Sequence, residues 1–125
     1  MKRLLTLRLL FLLLIVGAIY ATTFVKQVAI VGTAPRRLST LLTNANYAGS
    51  SGVLELNVCN PTDAAGTLYV GSNSNVNSTT GARLDQGDCI RFVATGVAGD
   101  IGVKTDELYL LTNANQNAEV WLRTK

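Results

Sequence analysis

The chain has 125 residues, a formal net charge of +3, only 15% charged residues and no histidine. That length allows one domain with a modest core, and the missing histidine excludes Ser-His-Asp and Cys-His nucleophiles and His-ligated zinc. Lys2, Arg3 and Arg8 carry the whole charge excess, because the other eight basic residues are matched by eight acidic ones that all lie beyond residue 50; a neutral domain without a cationic stripe binds phosphate poorly, so no nucleic-acid partner is expected.

Residues 1–25, MKRLLTLRLLFLLLIVGAIYATTFV, join a basic start to an apolar run that ends in small residues. This layout fits a secretory signal, and it also fits an uncleaved membrane-anchor helix, although the 17 residues from Leu9 to Val25 fall short of the ~20 a spanning helix needs. Either way the segment directs the chain to a membrane, and residues 26–125 form the folded domain. Phe24 to Val31 alternates as a strand, with Val28 and Ile30 on one face and Gln27 and Ala29 on the other. TAPRRLSTLLTNAN then offers Thr33 as a cap, Pro35 in a first turn, and Leu38, Leu41 and Leu42 at helical spacing. A short helical turn over a sheet edge is expected there, with Arg36 and Arg37 on its solvated side.

Gly52 to Val70, GVLELNVCNPTDAAGTLYV, reads as the central β-hairpin of the domain. Leu54, Leu56 and Val58 share its core face, and Val53, Glu55, Asn57 and Cys59 share the other, because side chains alternate along a strand. Between the runs, Pro61, Asp63 and Gly66 supply turn chemistry. GSNSNVNSTTG is a polar loop, Ala82 to Leu84 and Cys89 to Ala94 are strands about a DQGD turn, and DELYLLTNANQNAEVWLRTK closes the chain as a second hairpin. The sum is an all-β fold: a single antiparallel β-sandwich of about six or seven short strands with one helical turn.

Few residues suggest chemistry. The carboxylate pairs Asp85 with Asp88 and Asp106 with Glu107 sit in or beside turns, where Asp ordinarily caps backbone amides. DQGD lacks enough oxygen donors at loop spacing for calcium, and the glycines do not build a phosphate loop. No catalytic residue, metal or cofactor is expected, and an enzyme is the least favoured class.

Two features are more informative. Cys59 and Cys89 share the face opposite Val58 and Ile90, so a disulfide is expected in an exported chain, with two reduced thiols as the alternative if the protein stays in the cytoplasm. Tyr69, Tyr109, Leu111 and Trp121 alternate with Leu68, Val70, Leu108, Leu110, Val120 and Leu122. One buried face cannot hold both sets. Either a second sheet covers the four or a partner does, and the intramolecular sandwich is the simpler reading.

The series TAPRRLSTLL, VLELNVCNP, GTLYVG, GARLDQGDCIRF, DELYLL and EVWL resembles small β-sandwich structural proteins of bacteriophage virions, of the capsid-associated or decoration type. The resemblance implies a virion component without enzymatic activity, in contact with coat protein and with copies of itself, and it transfers no site residues. The hydrophobic N-terminus and the cysteine pair depart from that pattern, and imply a membrane-containing virion or an exported product. The alternative from another class is a secreted bacterial binding module, with Tyr69, Tyr109 or Trp121 stacking on carbohydrate.

Overall fold

In the computed structural model, residues 24–43, 53–94 and 103–124 are described. The signal or anchor expected in residues 1–25 lies almost wholly outside them. Among the described residues no helix is long and apolar enough to cross a membrane.

The organising strand is β8 (Gln116–Thr124), where Ala118, Val120 and Leu122 are fully buried. It lies between β1 (Phe24–Val31) and β3 (Val53–Cys59), and β6 (Cys89–Val93) extends the sheet beyond β3, giving the order β1-β8-β3-β6. The second sheet has the order β2-β7-β4-β5, from β2 (Arg36–Arg37), β7 (Tyr109–Thr112), β4 (Leu68–Gly71) and β5 (Ala82–Leu84). All recorded pairings are antiparallel. Except for β4 and β5, which pair within the second sheet, consecutive strands alternate between the sheets, and this interleaved order is that of a jelly roll. The apolar core comes from the inner faces: Leu56, Val58, Val120 and Leu122 on the first sheet, Leu68, Val70, Leu84 and Leu110 on the second.

This topology corrects the expected hairpins. β3 and β4 belong to different sheets, so NPTDAAG crosses from one layer to the other; β7 and β8 likewise belong to different sheets. Proline, aspartate and glycine reverse a chain equally well within a sheet or between two. The crossing is fixed by Asn60, which is 1% exposed. Its Nδ2 donates to Gly66 O at 2.9 Å and to Leu84 O at 3.0 Å, and its Oδ1 accepts from Gln116 Nε2 at 2.6 Å. Gln116 Oε1 in turn accepts from Gly66 N at 2.7 Å. One buried amide thereby ties the β3–β4 crossing to the end of β5 and the start of β8, with each of its bonding groups satisfied.

A β-bulge shifts the parity of β3. Val53 pairs with Thr124 and Glu55 with Arg123, which leaves Leu54 as the extra residue. Val53 therefore joins the core at 0% exposure while Leu54 is half-buried, the reverse of the assignment by strict alternation. The helical turn is also shorter than expected. Arg36 and Arg37 pair with Leu110 and Tyr109, and α1 (Leu38–Leu41) starts only after them, without a capping side chain at its N-terminus. Leu38 is drawn into the core, its N–H donating to Leu108 O at 2.7 Å.

Candidate functional site

The outward faces of the two sheets hold every residue singled out for contact. Tyr69 lies between Leu111 and Arg83 on the second sheet, with Tyr109 in the next row between Gly71 and Arg37. Trp121 lies on the opposite surface of the molecule, between Lys26 and Asn57. All four candidates are half-buried and point away from the core. The second layer exists, yet it does not cover them, which corrects the simpler reading of the sequence. The inner faces are already filled by Leu and Val.

Two of the rings, Tyr109 and Trp121, are instead partly screened by a cation. Arg37 lies 5.7 Å from the Tyr109 ring centroid, and its Nε and Nη2 donate to the Tyr109 hydroxyl at 3.2 and 3.1 Å. Lys26 lies 5.4 Å from the Trp121 centroid and forms an ion pair with Glu119. A cation near an aromatic ring gains from the ring quadrupole while its own head group stays in water.

On the first sheet the outward rows are regular. Arg123, Glu55 and Val93 form one, Trp121, Asn57 and Arg91 the next, and Glu119, Cys59 and Cys89 the third. Glu55 is 6% exposed even though it faces outward, because Arg91 and Arg123 lie over it. Hydrogen bonding from Arg91 first, then its charge and Arg123, holds the Glu55 carboxyl below the ordinary carboxylate range against the opposing effect of burial.

A folded-state pKa below the unfolded value means that stability is present above about pH 4.3 and is lost as pH falls through the folded value. Melting temperature should therefore drop on acidification in the native chain. Glu55→Gln should start lower at neutral pH and show a smaller acid drop, which thermal melts across the acid range would measure.

Cys59 and Cys89 form a disulfide between directly opposed residues of β3 and β6, with Cα atoms 4.0 Å apart. That is slightly inside the usual range of roughly 4.4–6.8 Å. Beside the disulfide, a groove of about 530 Å³ is lined by Trp121, Glu119, Pro61, Thr62, Asp63 and Gly87, among others.

The carboxylate pair at DQGD is occupied by its own turn. Asp88 Oδ2 accepts from Asp85 N at 3.0 Å, while Asp85 Oδ1 accepts from Arg83 Nε at 3.0 Å and Thr67 Oγ1 at 3.3 Å. Gly87 supplies the positive φ, 83°, that closes this turn. Among the described residues no group of three or more His, Cys, Asp or Glu side chains is placed to hold a metal ion.

Asn60 is the important residue that sequence reasoning missed. Its sole signal was an Asn directly before Pro at the end of an apolar strand. No protein-family model, characterised protein or solved structure matches the chain.

Proposed function

We propose that the chain is a non-enzymatic structural protein of a bacteriophage virion, working through protein–protein contacts in or on the particle and brought to a membrane by residues 1–25. Its partners are a coat protein or another virion protein, and further copies of itself. The observation that carries this reading is β1. It forms one edge of its sheet, with β8 its single hydrogen-bonded neighbour among the described strands.

Such an edge is a template for another strand, and proteins that remain monomeric blunt it with charges, Pro or bulges. Here the outward residues Val28 and Ile30 are 48% and 72% exposed, and the one charged side chain of β1, Lys26, is engaged by Glu119. The jelly-roll order adds support by analogy of fold, since the architecture serves in viral capsid and lectin domains alike.

Mass spectrometry of purified particles tests the reading. The protein should co-purify with them at a fixed ratio to coat protein. If the chain is recovered only from the free, secreted fraction, the virion role is wrong.

A further inference from the structure

We infer that the groove beside the Cys59–Cys89 disulfide is a binding site for a neutral saccharide, with Trp121 as its aromatic wall. The inference stands apart from the particle reading, because a sugar site would serve a virion attachment protein and a secreted module equally.

The groove joins the Trp121 indole of β8 and the apolar disulfide to Pro61 and the polar Thr62–Asp63 turn that follows β3. Its volume of about 530 Å³ falls within the roughly 300–1,000 Å³ of small-ligand sites. In and around the groove, other polar side chains are already committed: Asn60 to Gln116, Asp85 to Arg83, Asp88 to the backbone of its own turn. Among the described residues, the Thr62 hydroxyl, the Asp63 carboxylate and the Trp121 indole N–H have no such partner. The three residues line the groove together. An aromatic surface beside a free acceptor and two free donors suits a molecule with one apolar C–H face and a rim of hydroxyls.

Charge decides the ligand class. Asp63 and Glu119 both line the groove, which disfavours phosphates and acidic sugars. A cationic ligand is disfavoured too, because Lys26 already holds the position near the Trp121 ring and pairs with Glu119. What remains is a neutral polyhydroxyl compound, with Asp63 accepting from its hydroxyls.

Trp121 is the chain's single tryptophan, so its fluorescence reports on the groove alone. The experiment titrates the full chain with cellobiose, maltose, lactose and N,N′-diacetylchitobiose, with tetramethylammonium as the cationic control. At least one saccharide should give a saturable change in emission. Asp63→Asn should weaken that binding about tenfold, the loss of one charge-assisted hydrogen bond, while leaving the melting temperature unchanged. Thr62→Val offers a second variant at an exposed position. No saturable response to any of the four sugars overturns the inference, as does a response to tetramethylammonium alone or sugar binding that is the same in Asp63→Asn and Thr62→Val. Sugar binding by a chain that never enters particles would support the groove and remove the particle reading; incorporation without any sugar response would do the opposite.

Discussion

Asn60→Ala should destabilise the domain by about 3 kcal/mol, because it strands one buried carbonyl and two part-buried groups, and a buried polar group costs about 1–3 kcal/mol when unsatisfied. The groups left behind are Gly66 O, Leu84 O and Gln116 Nε2. Water entering the small void would recover part of the loss, which is why the total falls below a simple sum of the three. For a domain of this size the melting temperature should drop by about 15 °C. Asn60→Asp separates hydrogen bonding from shape. A carboxylate facing two carbonyl oxygens favours its protonated form, so its folded pKa is raised above the unfolded value, and stability should improve as pH falls through that window. Thermal melts of both variants near neutral and acid pH check this. A drop below about 1 kcal/mol for Asn60→Ala, the net worth of a single ordinary hydrogen bond, would show that the buried amide does not hold the crossing.

The second large effect belongs to the disulfide. Cys59 and Cys89 are 30 residues apart in sequence, and closing a loop of that length lowers the entropy of the unfolded chain enough to stabilise the fold by about 3–4 kcal/mol. The bridge also fastens β6, which has β3 as its one strand neighbour among the described residues, while Ile90 and Phe92 are only partly buried beneath it. The double variant Cys59→Ser with Cys89→Ser should therefore unfold at markedly lower denaturant, with β6 amides losing exchange protection first. An unchanged midpoint in the double variant, or in the native chain under reductant, would contradict this.

The sequence made the faces legible and the partners obscure. β1 has the bounds that alternation indicates, and Tyr69, Tyr109, Leu111 and Trp121 lie opposite the buried Leu and Val positions, because a period of two fixes which side chains share a face. Period two says nothing about which strand lies alongside. The β3–β4 and β7–β8 crossings resemble hairpins locally, and what separates them is a set of bonds between Asn60, Leu84 and Gln116, residues up to 56 positions apart. The bulge at Leu54 was hidden for a similar reason, since it exists only through the register of β3 on β8. At Arg36 and Arg37 the helical pattern of the leucines was overridden by pairing with β7. The groove was least visible of all: it brings Trp121 beside the Thr62–Asp63 turn, nearly 60 residues earlier in the chain.

The central claim is that this domain works by contact through the β1 edge, unpaired among the described strands, and charge placed on that edge tests it most directly. Ile30→Lys and Val28→Lys alter outward, exposed positions, so each should leave stability within about 0.5 kcal/mol of the native chain. Quantitative mass spectrometry of particles assembled with each variant should show the protein folded in the cell yet depleted from the particle, because a lysine on an edge strand discourages pairing with a further strand. Incorporation of both lysine variants at the native ratio to coat protein would contradict the claim.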